Sequence, residues 1–240
     1  MEPGKEYIRA RASVLASIQI ADRKNTPSLL LALNHDKLLQ GKYILSPLGG
    51  RRCVQPEQWE SVLELLDAQP DQSDSTGNTR DINFRIPTRK VDKFIDYLRG
   101  QWSGAGCFEL PEEALFREIS EELIDESPTR IIGLTRETLS TDLAFHSPQY
   151  TSYNPDGSTL FARTVIRCTP STNLSATIIK AAYNPHCGLY LVPITFLSSI
   201  SRSTIENARY LINYKGNQIN AGLNYNCIHV TSLATNSFLQ

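Results

Sequence analysis

Apolar and polar positions alternate loosely from residue 7 to residue 20, with Ile, Val and Ala dominating, and residues 28–34 form a compact Leu-rich run behind Pro27. Both stretches predict strands, joined by the polar turn Asp22-Arg23-Lys24-Asn25. A third strand is expected at Tyr43-Ile44-Leu45, ended by Ser46-Pro47-Leu48-Gly49-Gly50. Gln55-Pro56 then opens a helix, with Pro56 at a suitable first position and Trp59, Val62, Leu63 and Leu66 recurring on one face.

Residues 69–81, QPDQSDSTGNTRD, carry almost no apolar side chain and predict a mobile surface loop. A short extended segment follows at 82–86. Val91, Phe94, Ile95 and Leu98 mark a helix that stops near Gly100, and a second helix is expected from Pro111 to about Ile124. The remainder reads as β-rich: a strand over 130–134, a hairpin around Asn154-Pro155-Asp156-Gly157 whose second arm is 158–168, and a strand over 189–196. One further helix is predicted over 204–214, where Ile205, Ala208, Leu211 and Ile212 are apolar and Gly216 lies near the end. Interleaved strands and helices with hairpins give a mixed α/β or α+β class.

Composition narrows the function classes. The 240 residues carry 25 Asp and Glu against 24 Lys and Arg, and 40% are hydrophobic. The balance and content of charge exclude a disordered chain, and a formal net charge of -1 gives no direct DNA-binding signal. The five cysteines, Cys53, Cys107, Cys168, Cys187 and Cys227, are odd in number and never spaced C-x-x-C, which argues for a reducing compartment. The opening MEPGKEYIRA has no apolar signal stretch, and the apolar run 29–33 is far short of the roughly 20 residues that span a bilayer. The expectation is a cytoplasmic protein with no membrane partner.

The near-neutral total hides a local excess of acid. Between Glu109 and Glu126 stand Glu112, Glu113, Glu118, Glu121, Glu122 and Asp125, with Arg117 as the single base. In the helix beginning at Pro111, Glu118, Glu121 and Glu122 fall at i, i+3 and i+4 and share a face, while Leu115, Ile119 and Leu123 form a separate apolar stripe. One side of such a helix packs on a core and the other presents clustered anionic oxygen. Hard divalent cations such as Mg²⁺ or Mn²⁺ prefer carboxylate and water oxygens and bridge protein to phosphates. Three glutamates at this spacing also describe an ordinary solvated face. The added Arg117 sharpens the pattern, since a fixed R-E-x-x-E-E string arises in about one random chain in 300 of this length.

With Glu109 placed eight residues before Arg117, the segment follows E-x7-R-E-U-x-E-E, where the apolar U is Ile119. It resembles the box of the Nudix hydrolases, G-x5-E-x7-R-E-U-x-E-E-x-G-U. It departs from that box at Ser103, where the first glycine belongs, and at Ile124 and Asp125, where the late glycine and apolar pair belong. The wider layout is P-x-G-G at 47–50, a helical insert, D-x-x-F-x-x-P, an F-I-D-Y-L helix and then R-E-I-S-E-E-L. It resembles the Nudix domains associated with second-messenger oligonucleotide synthetases in bacterial defence loci.

The resemblance implies a Nudix-like α/β/α sandwich with a mixed sheet, enlarged by an insert at about 51–102 between the Gly-Gly turn and the glutamate helix. It implies a single domain over 1–240 with a C-terminal extension at about 200–240. Glu118, Glu121 and Glu122 would bind Mg²⁺ or Mn²⁺, and Arg117 would hold the glutamate helix by ion pairing; these four form the expected catalytic set. Gly49 and Gly50 would let backbone approach a diphosphate whose charge Arg51 and Arg52 neutralise. The implied activity is hydrolysis of a diphosphate linkage in a nucleotide or nucleotide-derived signal, in prokaryotic antiviral defence with defence-system proteins as partners. The alternatives are a catalytically weak or inactive Nudix-fold nucleotide sensor, consistent with the missing box glycines, and an α/β interaction protein with a solvated acidic face. Glu137, Asp142 and His146 follow the box, but nothing local selects one as general base. His35, His146, His186 and His229 lack metal-ligand spacing, the adjacent His186-Cys187 reads as no nucleophile pair, and Tyr150, Tyr153 and Phe161 read equally as base-stacking groups or hairpin packing.

Overall fold

Alternation over Tyr7–Ala21 produces one long strand, β1, because every second side chain from Ile8 to Ala12 is buried and those between are not. Asp22 turns the chain back: its Oδ1 accepts the N–H of Lys24 at 2.7 Å and of Thr26 at 2.9 Å, and Asn25 takes φ 57°. The remaining strands are β2 (Pro27–Leu33), β3 (Ile44–Ser46), β4 (Gly49–Arg51), β5 (Gln69–Pro70), β6 (Asn83–Pro87), β7 (Leu143–Phe145), β8 (Gln149–Tyr153), β9 (Thr159–Pro170), β10 (Leu189–Pro193), β11 (Arg209–Tyr214) and β12 (Asn217–Leu223). The helices are α1 (His35–Leu39), α2 (Trp59–Leu66), α3 (Val91–Leu98), α4 (Pro111–Ser120), α5 (Arg136–Asp142), α6 (Thr172–Ala182) and α7 (Ile194–Ser199). The class is mixed α/β. This computed structural model describes residues 7–70, 81–99, 108–153, 159–200, 207–224 and 227–228. Most of the predicted 69–81 loop, the tip of the 154–157 hairpin and Ser103 lie outside the described residues.

The chain divides into two compact units, the first drawn from the described residues of Met1–Val14, Gly50–Ala114 and Pro148–Thr164. In it β1 pairs antiparallel with β6 (Ile8 opposite Ile86, Ala10 opposite Phe84), and β5 lies beyond β6. Ile8, Ala10, Phe84, Ile86, Val62, Leu66, Phe94, Leu98, Leu160 and Ala162 form its core. The helical faces expected at Trp59 to Leu66 and Val91 to Leu98 pack there, with Trp59 and Phe84 ring centroids 5.6 Å apart.

The second unit is drawn from Leu15–Gly49, Leu115–Ser147 and the described part of Val165–Gln240. Strand β2 is its axis. It pairs antiparallel with β10 along one edge, and with the end of β1 and then β3 along the other. Strand β12 adds to β3 in parallel and β11 closes the row. Leu29, Leu31, Leu33, Leu45, Val192 and Ile212 fill the core between these strands and α7. Among the described residues no helix is long and apolar enough to cross a membrane.

Five sequence expectations are corrected. The helix predicted over 204–214 is, from Arg209 onward, strand β11. Its buried positions Ile212 and Tyr214 alternate with exposed ones, and Lys215 (φ 51°) and Gly216 (φ 80°) make a two-residue turn with both φ positive, the geometry that joins twisted antiparallel strands. The strand predicted over 130–134 is a series of turns around Gly133 (φ 86°), which bury Ile131 and Leu134 but leave Ile132 exposed. The β-rich tail also contains α6, capped by Ser171 Oγ accepting the Leu174 N–H at 3.2 Å and docked through Leu174 and Ile178. Finally, the 189–196 strand stops at Pro193, and Gly49–Arg51 is not simply the end of β3 but a strand of its own beside β1.

The β11–β12 turn offers a clean stability test. A Cβ added at Gly216 meets nothing within 4 Å, so Gly216→Ala pays only for a left-handed backbone. The expected loss is about 1 kcal/mol in urea unfolding, in the range of about 1–2 kcal/mol for an L-residue held in that conformation. An unchanged midpoint would show that the turn does not hold this geometry in solution.

Candidate functional site

Helix α4 starts at Pro111, whose missing N–H costs nothing in the first turn. The Leu110 N–H, just outside, reaches Glu113 Oε2 at 3.3 Å, and Glu112 and Glu113 sit favourably at the positive end of the helix dipole. Leu115, Ile119 and Leu123 are completely buried, as their spacing predicts, and hold the second unit's part of this segment. The acidic side chains are thereby turned away from the packed stripe.

After Ser120 the helix widens into a π-helical turn, Glu121–Asp125, in which the Glu126 N–H reaches back to the Glu121 carbonyl at 2.8 Å. Single π turns of this kind are frequent at functional sites. Two more bonds fix the turn: Thr129 Oγ1 donates to the Glu122 carbonyl, and the Ile131 N–H donates to the Leu123 carbonyl at 2.7 Å.

The glutamates are not equivalent. Arg117 Nη1 lies 2.6 Å from Glu118 Oε1 and 3.6 Å from Glu121 Oε1, so one guanidinium spans two of the three expected ligands. Glu122 takes a different partner, the Gly49 N–H, at 3.0 Å from its Oε2. Gly49 has φ 128°, a conformation L-residues avoid, so glycine is what lets this backbone present its N–H there. The turn of the P-x-G-G sequence and the helix of the glutamate sequence, 73 residues apart, are thus joined by one hydrogen bond.

Glu122 is partly exposed as a whole residue, but its carboxyl is enclosed by protein. Desolvation, the largest cause, drives its pKa well above the ordinary 4.5; the Gly49 N–H works the other way, and the charges of Glu118, Glu126 and Glu121 raise it further. Glu126 is a member of this cluster that the motif does not include.

The donor set fits Mg²⁺ or Mn²⁺ in chemistry: hard oxygens, an excess of negative charge, and a carboxyl that favours a positive neighbour. The side chains are not yet gathered, for among the described residues no three His, Cys, Asp or Glu converge as a metal-holding group. The reason is visible in the contacts, since Arg117 occupies Glu118 and Glu121 while Glu122 faces Gly49.

The other expected site residues belong to the first unit and have partners there. Arg51 pairs with Asp81 at 2.9 Å and is about two-fifths exposed. Arg52 is not part of an exposed basic pair; it is buried and donates to the Glu109 carbonyl from Nε (3.2 Å) and Nη2 (2.7 Å). Glu109 Oε2 accepts the Cys53 N–H at 3.3 Å. Gly50 lies in β4 beside Arg51. His146 Nε2 meets Thr169 Oγ1 at 2.8 Å, and burial pushes the Cys187 thiol up. No protein-family model matches the chain, and no curated protein matches it either.

Proposed function

We propose that this chain is a Nudix-type, metal-dependent hydrolase that cleaves a diphosphate linkage in a nucleotide or nucleotide-derived signal. The observation that carries the reading is the Gly49 N–H to Glu122 bond, which unites the two sequence features that the Nudix resemblance pairs across a long insert. The Nudix-like sandwich is part of the same proposal, as is a role in prokaryotic antiviral defence, supported by the layout from the P-x-G-G turn to R-E-I-S-E-E-L.

A divalent cation on this face would supply Lewis-acid polarisation of a phosphoryl oxygen. The residues' own contributions follow from their contacts. Glu118, Glu121 and Glu122 would hold the cation, and Gly49 fixes the Glu122 carboxyl through its N–H. Arg117 restrains Glu118 and Glu121 and limits their mutual repulsion when no cation is present. Gly50 supplies a backbone without a side chain next to Gly49.

Purified protein with Mg²⁺ or Mn²⁺ is expected to turn over at least one member of a panel of nucleoside di- and triphosphates, ADP-ribose and dinucleoside polyphosphates. Glu121→Gln is expected to lower that rate by about a hundredfold or more, at or beyond the upper range for losing an outer-shell partner of a metal site. A second reading, a sensor that binds without cleaving, draws on the Arg117 contacts that occupy two of the three carboxylates. Calorimetric binding of a panel member without turnover would favour the sensor. Neither binding nor turnover would refute both.

A further inference from the structure

The chain that follows the π turn runs back over it before moving on. The Glu126 N–H donates to the Glu121 carbonyl at 2.8 Å, Thr129 Oγ1 donates to the Glu122 carbonyl, and the Ile131 N–H donates to the Leu123 carbonyl at 2.7 Å. Successive carbonyls of the turn are therefore all met by one short segment, residues 126–131. Of these donors only Thr129 uses its side chain. It is buried, at 4% exposure, so no bulk water stands ready to replace its hydroxyl.

The segment is held from behind, where the chain enters β10. The Gly188 N–H donates to the Pro128 carbonyl at 2.8 Å, and the Gly188 carbonyl accepts the Leu33 N–H of β2 at 2.8 Å. The Cys187 thiol donates to the Thr129 carbonyl at 3.8 Å. A Cβ on Gly188 would stand 2.8 Å from Pro128 Cγ and 3.3 Å from Leu33 Cβ. The proline ring is rigid, so only glycine lets the segment lie this close to β2. Cys187 and Gly188 thus form a seat for Thr129. Contacts then run from β2 through Gly188, Pro128, Thr129 and Glu122 to Gly49, all within the second unit.

We propose that Thr129 is a positioning residue for the cation site: its hydroxyl, on a segment seated against Gly188, sets the π turn so that the Glu122 carboxyl meets the Gly49 N–H. Without that hydroxyl the Glu122 carbonyl loses a donor, and the turn relaxes toward ordinary helical spacing. The Glu122 side chain then swings off the line to Gly49 and away from Glu118 and Glu121. That a cation benefits rests on the function proposed above; the placing of Glu122 does not, because it is a property of the metal-free chain.

Thr129→Val keeps the shape and removes the hydroxyl, whereas Thr129→Ser keeps the hydroxyl. In EDTA, amide hydrogen exchange at Glu126 and Gly49, read by NMR against the amides of β2, is expected to quicken by about tenfold or more in Thr129→Val and to stay as in wild type in Thr129→Ser. Mn²⁺ uptake followed by electron paramagnetic resonance is expected to be about ten- to hundredfold weaker in Thr129→Val, the range for losing an outer-shell partner of a metal site, and restored to within about threefold in Thr129→Ser. A Thr129 that only packs would lower stability in urea yet leave both readings of the folded protein unchanged, and that result would overturn the proposal. No Mn²⁺ uptake by wild type would instead sink the cation reading, and the exchange rates would still decide whether Thr129 places Glu122. Should Thr129→Val not fold, Thr129→Cys, with a weaker donor of similar size, takes its place. Wild-type exchange at Glu126 and Gly49 in that variant would overturn the proposal as well.

Discussion

Metal-free Glu122→Gln protein is expected to melt at a higher temperature than wild type at pH 8, and to lose at least a hundredfold in metal-dependent turnover. The stability gain follows from the enclosed carboxyl. Its pKa in the folded chain lies well above the ordinary 4.5, chiefly through desolvation, so the folded state holds a proton that the unfolded state releases. Stability therefore falls with rising pH across that interval. The contribution of the protonated carboxyl is fully present below its unfolded pKa and is lost as pH rises through its folded one. Gln cannot ionise and still offers an oxygen to the Gly49 N–H, so the variant's melting temperature is expected to be flatter between pH 5 and pH 8 than that of wild type. Mn²⁺ is expected to raise the wild-type melting temperature more at pH 8 than at pH 6, since competition from the proton for the carboxyl weakens as pH rises, and to leave the variant unmoved. Thermal melts at a series of pH values, with EDTA or Mn²⁺, read all of these effects. A variant less stable than wild type at pH 8 would show that Glu122 is ionised and satisfied in the metal-free fold.

Phe84→Ala is expected to cost the first unit about 3–5 kcal/mol, in the range for a buried aromatic truncated to alanine. Phe84 is fully buried on β6, opposite Ala10 of β1, and tilted against Trp59 of α2. Alanine would remove the ring that joins the sheet to that helix, and neither neighbour can fill the space, because Ala10 is small and Trp59 is anchored in its own helix. Urea unfolding followed by Trp fluorescence measures the loss. A cost below about 1 kcal/mol would mean that the core collapses around the deletion.

The two predictions rest on features of different visibility in the sequence. Periodicity identified the helices at Trp59 to Leu66 and Val91 to Leu98 because their apolar residues all face one core, and it identified the buried stripe of Leu115, Ile119 and Leu123 for the same reason. It misread β11, where Leu211 and Ile212 are consecutive and mimic a helical face, although Leu211 is exposed and Ile212 buried. The Lys215-Gly216 pair carried the contrary signal, since a two-residue turn with both φ positive belongs between strands. Helix α6 was hidden by its β-branched Thr172, Thr177, Ile178 and Ile179, yet Ser171 followed by Leu174 and Ile178 is a cap and an i, i+4 face.

The candidate site was legible as a list of residues and not as an arrangement. Spacing put Glu118, Glu121 and Glu122 on one face. It could not show that Arg117 spans the first two while Glu122 turns to Gly49, because that division depends on the π turn and on a partner 73 residues away. Glu126 joins the cluster for the same reason. Arg52 illustrates the converse, a basic residue beside a glycine turn that is consumed by backbone carbonyls.

The central claim is that the glutamate face tied to Gly49 takes up a divalent cation. Titration of Mn²⁺ into the purified chain, with free Mn²⁺ followed by electron paramagnetic resonance, tests it most directly. The expected result is stoichiometric, Mg²⁺-competitable uptake by wild type that is lost in the Glu118→Gln/Glu121→Gln/Glu122→Gln triple variant while its fold persists. Equal Mn²⁺ uptake by wild type and triple variant, or none by either, would contradict the claim and leave these glutamates as an acidic surface held in check by Arg117.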